Sequence, residues 1–214
     1  MRNAYALLGL AFIIVFGSAY ILFERAHAPS PEDIEITKST SDTLPDDSFT
    51  SSMSLTLTSP EFEEGSTIPK LYTCDGENIS PPLNITGVPE GTESLILVMD
   101  DPDIPMEIKS ERGIEKFDHW ALYNIPPDTS MISADTDTGT NGLNGRGEEA
   151  YTGPCPPTQY EPTEHRYVFR LYAVSGQLNF IKSPTLDELE TAAKGMMLGK
   201  TELIGRYSRV ESGQ

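Results

Sequence analysis

Basic residues are scarce in this chain of 214: 15 Lys and Arg stand against 33 Asp and Glu, a formal net charge of −18. Nucleic-acid binding needs clustered cations to neutralise phosphates, so that function is excluded, while an acidic surface still permits a local anion pocket. Histidine occurs three times and cysteine twice, as Cys74 and Cys155. With no CxxC pair, a structural zinc site of the usual kind is disfavoured. No HExxH motif and no activated serine is present to mark a hydrolase. Gly142, Gly145 and Gly147 neither follow a strand directly nor open a helix, so they make no phosphate-binding loop.

Turn-forming residues, in contrast, are plentiful. Seventeen glycines and seventeen prolines point to a β-rich fold with few helices, and the length suits one domain with extensions. The extension comes first. Ala4 to Phe23 is an uncharged, mostly apolar run of 20 residues between Arg2 and Glu24-Arg25, long enough to span a bilayer as a helix. Residues 1–28 are therefore expected to be a membrane anchor or a signal segment, placing the bulk of the chain outside the cytoplasm or releasing it. Residues 29–53 are rich in Ser, Thr, Pro and Asp and carry six acids against Lys38, a local charge of 1 minus 6, or −5. Such a segment cannot offset its ordering entropy by burial and reads as a disordered acidic tether. The folded domain is expected over 54–210.

Within it, the apolar run Leu95-Ile96-Leu97-Val98-Met99 reads as a buried strand, stopped by Pro102 just after Asp101. Two later strand-like segments begin with histidine: His119-Trp120-Ala121-Leu122-Tyr123 and His165-Arg166-Tyr167-Val168-Phe169. If the first strand is antiparallel to both, its end and their starts lie at one edge of a sheet. Asp101, His119 and His165 then converge, although 64 positions separate the outer two (165 minus 101). Alternation puts His165, Tyr167 and Phe169 on one face and Arg166, Val168 and Arg170 on the other.

Elsewhere, Met106 to Lys116 is charged and irregular and is read as an exposed loop, and Ser133 to Glu149 as a long loop. Thr185 with Glu188 forms a capping-box signature for a helix whose apolar residues recur as far as Gly199. A short strand is expected over Thr201–Tyr207. In an oxidising compartment Cys74 and Cys155 are expected to form a disulfide closing a loop of about 80 residues; two inert buried thiols, or a reactive Cys155 beside His165, are the alternatives.

The chain from about Leu55 to Arg209 resembles the phosphatidylethanolamine-binding protein family, which includes Raf kinase inhibitor protein, in its bacterial and archaeal branch. The resemblance rests on Tyr72-Thr73-Cys74-Asp75-Gly76, Ser80-Pro81-Pro82-Leu83, Asp101-Pro102-Asp103-Ile104-Pro105, Asp118-His119-Trp120, Gly153-Pro154-Cys155-Pro156-Pro157, His165-Arg166-Tyr167 and Leu203-Ile204-Gly205-Arg206-Tyr207. It implies an antiparallel β-sandwich with one or two short helices and a small anion pocket at one end that accepts phosphate-like head groups. By motif, Asp101, His119, Gly153, Pro156, His165 and Tyr167 fall on pocket positions, with Asp103 and Arg166 supporting them. Cys155, also placed at the pocket, departs from the glycine of eukaryotic relatives. The kinase regulation of those relatives does not carry over to a domain outside the cytoplasm.

On this reading, backbone N–H groups around Gly153 and the protonatable rings of His119 and His165 donate to an oxyanion, while Asp101 orients an imidazole. The function expected is non-enzymatic binding of a small anionic or phosphorylated ligand such as a phospholipid head group, with a protein partner left open and neither cofactor nor metal required. Two alternatives stand beside it. One is a protease or kinase inhibitor acting through surface loops; the other is a metal-dependent hydrolase built on Asp101, His119 and His165.

Overall fold

The computed structural model describes residues 54–209. The expected anchor and tether, residues 1–28 and 29–53, lie outside them, and among the described residues no helix is long and apolar enough to cross a membrane.

The most apolar stretch of the chain becomes its central strand. Strand β3, Ser94–Asp101, is buried at every one of its eight positions, which explains its unbroken apolar character: both faces are covered, so no alternation is needed. It is flanked by β4, Phe117–Ile125, and β7, Glu164–Val174, both antiparallel to it. The five-stranded sheet is completed by β6, Thr140–Asn141, beside β4 and by β8, Met197–Ser208, beside β7. A second antiparallel sheet holds β1, Thr56–Thr58, β2, Leu83–Thr86, and β5, Met131–Ile132, in the order β1-β2-β5.

One core lies between the two sheets. Leu57, Leu83, Ile85 and Ile132 from the small sheet join Leu97, Met99, Trp120, Leu122, Phe169 and Leu171 from the large one. The opposite face of the large sheet, with Ile96, Val98, Ala121 and Tyr172, is covered by Leu186, Leu189 and Ala193 of an amphipathic helix, Leu186–Ala193. Its Thr185 cap and reciprocal Glu188 bond form as the sequence indicates. The outer edge of β8 is covered in turn. Gly65 N–H donates to Ile204 O at 2.7 Å, Ile68 N–H to Arg206 O at 2.8 Å and Arg206 N–H to Ser66 O at 2.8 Å.

Three expectations need correction. The segment after Pro105 forms helix α1, Met106–Arg112, ended by Gly113 at φ 65°, where Met106–Lys116 is read from sequence as a loop. None of its residues is buried, so no apolar stripe marks it. The helix with the Thr185 cap, α2, ends at Ala193 and not near Gly199; Met197 already belongs to β8, which is longer than the Thr201–Tyr207 strand expected. The long loop 133–149 contains the short strand β6.

Candidate functional site

Because β3 runs antiparallel to β4 and β7, its C-terminal end meets their N-terminal ends. Asp101 is in register with Phe117, and Asp100 with Asp118 and Val168. A cavity of about 310 Å³ opens there. It is lined by seven of the residues singled out from sequence: Asp101, His119, Gly153, Cys155, Pro156, His165 and Tyr167.

Asp101 is 3% exposed and fully used. Its Oδ1 accepts the Asp103 N–H at 2.8 Å, an Asx turn favoured by the Asp-Pro-Asp sequence, and its Oδ2 lies 2.6 Å from His165 Nδ1. The other nitrogen of that ring, Nε2, lies 3.0 Å from Pro162 O, a carbonyl that can only accept. His165 therefore donates at Nε2 and shares a proton with Asp101 at Nδ1, which leaves it no N–H for a ligand. Asp103 and Arg166 do not line the cavity. They clamp it from outside: Arg166 donates through Nη2 to Asp103 Oδ1 at 2.6 Å and through Nε and the backbone N–H to Oδ2 at 2.8 and 3.0 Å. That pair holds the Asp103 carboxyl below its usual range and ties the turn after β3 to the start of β7.

His119 is held differently. Its Nδ1 lies 2.6 Å from Thr152 O, and Thr152 N–H donates back to His119 O at 2.9 Å. Phe117 and Tyr167 pack edge-on against the ring, with centroids 4.9 and 5.2 Å away. Burial lowers its pKa, outweighing the opposing pull of the Thr152 carbonyl and of Asp101. The neutral ring thus carries its proton on Nδ1, where a carbonyl must receive one, and keeps a lone pair on Nε2. Tyr167 is completely buried; burial raises its pKa, outweighing the Cys155 backbone N–H directed at its oxygen, so the O–H stays protonated, and that hydrogen has no acceptor among the described residues.

The wall opposite is a braced loop. The Cys74–Cys155 disulfide forms with Cα atoms 5.4 Å apart. Cys74 N–H donates to Pro154 O at 3.1 Å and Tyr151 Oη–H to Tyr72 O at 2.7 Å. Gly153 N–H, expected to face a ligand, is instead satisfied by Asn78 Oδ1 at 2.8 Å. A Cβ at Gly153 would come within 2.6 Å of Tyr72 O, so only glycine allows this approach.

Sequence reasoning missed Arg112 of α1 and Arg146 of the loop between β6 and β7, which also line the cavity. Neither forms an ion pair among the described residues. It also missed Phe117, which alternation places on the face of His119 two residues on, and Asn78. Among the described residues no group of three or more His, Cys, Asp or Glu side chains is placed to hold a metal ion.

Asp100, one residue from Asp101, faces the α2 side. Its carboxylate, 0% exposed, takes Lys116 Nζ at 3.0 Å and Arg170 Nη1 on the same oxygen, and Lys116 also lies 3.5 Å from Glu190, 3.6 Å from Asp187 and 3.8 Å from Asp118.

Comparison with known proteins bears on the family and the fold. The model of the phosphatidylethanolamine-binding protein family matches residues 58–208. A UPF0098 protein of Methanothermobacter thermautotrophicus is 38% identical over 162 residues, 72% of this chain and 99% of its own length. Among solved structures, a putative phosphatidylethanolamine-binding protein homologue from Chlamydia trachomatis superposes with a TM-score of 0.68 at 37% identity, covering 74% of this chain and all of its own. The E. coli protein YbcL gives a TM-score of 0.63 at 25% identity, covering 73% and 99%.

Proposed function

The chain belongs to the phosphatidylethanolamine-binding protein family, and from that membership we propose that its domain binds a small anionic or phosphorylated ligand and releases it unchanged. The observation that carries this reading is a cavity in an acidic protein that offers two arginines without ion-pair partners, and a buried phenol O–H with nothing to donate to, among the described residues. A buried donor left unpaired costs about 1–3 kcal/mol, which an acceptor oxygen of the ligand recovers. Arg112 and Arg146 supply the charge, and the apolar walls of Ile104, Ile108, Phe117 and Pro156 reduce solvent screening. Asp101, paired with His165, repels an anion less than a free carboxylate would.

Residues 4–23 are proposed to anchor the protein in a membrane, with the domain outside the cytoplasm; the Cys74–Cys155 disulfide supports an oxidising location. Titration calorimetry of the full chain with inorganic phosphate and phosphoethanolamine tests the binding reading. One-to-one binding that weakens at least tenfold in Tyr167→Phe is expected. Absence of heat and of any ligand-induced thermal shift at millimolar concentrations of both would sink it.

A further inference from the structure

Most oxyanion sites present donors only. This cavity also presents an acceptor. His119 spends its Nδ1 proton on the Thr152 carbonyl, so Nε2 holds a lone pair with no hydrogen-bond partner among the described residues. His165 and Gly153 offer nothing further, because both ring nitrogens of one and the N–H of the other are already engaged within the protein. The groups left for a ligand are thus one imidazole acceptor, His119 Nε2, neutral donors in Tyr167 Oη–H and the rotatable Thr152 hydroxyl, and the two guanidinium groups.

We propose that the cavity selects an oxyanion that carries its own proton, namely inorganic phosphate or a phosphate monoester in its monoanionic form, over sulfate and over phosphodiesters. The inference rests on the ligand reading given above and narrows it. The acidic O–H of the monoanion donates to His119 Nε2, while its other oxygens accept from Tyr167 and the arginines. Sulfate and a phosphodiester have no acidic hydrogen near neutral pH, so either would set an oxygen lone pair against that of the ring. A site built around a hydrogen on its ligand discriminates sharply against an analogue lacking it.

The alternative is an imidazolium that donates to any anion. Against it, the surroundings of the ring are the Thr152 carbonyl, the Phe117 and Tyr167 rings, Asp100 and Asp101 from β3 and Arg146 from the loop before β7. Burial among them favours the neutral form over the attraction of the two acids.

Calorimetry of the full chain at pH 7 with phosphate and with sulfate, in two buffers of different ionisation enthalpy, decides between them. Phosphate is expected to bind more than about tenfold tighter than sulfate. Its affinity should fall above about pH 6–7, as the ligand loses its second proton. An alkylphosphonate, whose second pKa is higher, should move that fall to higher pH. His119→Asn, which can donate as well as accept, should bring sulfate to near parity with phosphate. Sulfate bound within about threefold of phosphate by the unaltered protein, with uptake of a proton, overturns the proposal, as does a phosphonate profile that does not move. If neither anion binds, the ligand reading itself fails, and the selectivity with it.

Discussion

Asp100 and Asp101 are adjacent, nearly equally buried, and opposite in use. Asp100 is surrounded by the cations Lys116 and Arg170 and by three further acids, Asp118, Asp187 and Glu190, with α2 packed beside them. Asp101 has one titratable partner, His165, and the space beyond it is the cavity. A strand reverses its side chains at every step, so one residue of register separates the ionic cluster from the cavity lined by His119 and His165. The lesson is that burial and charge together do not identify a site: buried oxygens with hydrogen-bonding capacity left over occur on both sides, at Asp100 and Asp118 as at Tyr167, and what distinguishes the cavity side is that its cations, Arg112 and Arg146, have no acid partner among the described residues, whereas Lys116 and Arg170 do.

The two sides are also braced differently, covalently at the cavity and ionically at the cluster, and the largest expected effect tests that contrast. Replacing both cysteines, Cys74→Ser with Cys155→Ser, releases a loop with a sequence separation of 81 and should lower unfolding free energy by about 4 kcal/mol, read by denaturant titration under non-reducing conditions. Loss of phosphate affinity should accompany it, since Cys155 lines the cavity. Asp100→Asn should cost about 3 kcal/mol by stripping the charge from two part-buried cations, yet leave phosphate affinity within about twofold in the protein that remains folded. A large affinity loss there would erase the division between the sides.

Asp101→Asn should cost about 2 kcal/mol in stability, from the loss of a charge-assisted bond to His165, and unlike Asp100→Asn should change phosphate affinity. Asp118 gives the smallest and most diagnostic effect. Burial pushes its carboxyl up to about 6 from an ordinary 3.8, Lys116 opposing. The folded protein then holds this proton more tightly than the unfolded chain, so the group's contribution to stability falls as pH rises from about 4 to about 6. Asp118→Asn should flatten that part of the stability curve and add about 1 kcal/mol at pH 7, allowing for partial exposure. Buried His119 works in the opposite sense: its lowered pKa gives stability that is present above about pH 6.5 and lost on acidification.

Much of this arrangement was legible in the sequence. An apolar run ending in Asp101 and two strands beginning with histidine bring three side chains to one edge by antiparallel pairing alone, and the pairing is observed. The family motifs located the Gly153–Pro157 wall and the Tyr167 position. What could not be read was allocation. Sequence offers the histidines and the Gly153 N–H as donors, but which of them remain available depends on Pro162, Thr152 and Asn78, and those contacts exist only in three dimensions. Arg112 was hidden because α1 buries no residue and leaves no periodic trace. Arg146 was hidden because its loop is placed by contacts such as Gly145 N–H to Asp118 O at 2.7 Å, not by a local pattern.

The strap of residues 64–68 along β8 has a consequence for behaviour in a crowded compartment. A bare twelve-residue outer strand would offer a long ladder of open backbone groups to any extended polypeptide, including another copy of itself. By bonding to Ile204 and Arg206, and with Glu64 accepting the Ile204 N–H at 2.8 Å, the strap occupies the C-terminal half of that ladder and sets a carboxylate beside it. That stretch of the edge is thereby closed to a further strand by a few residues of the chain itself.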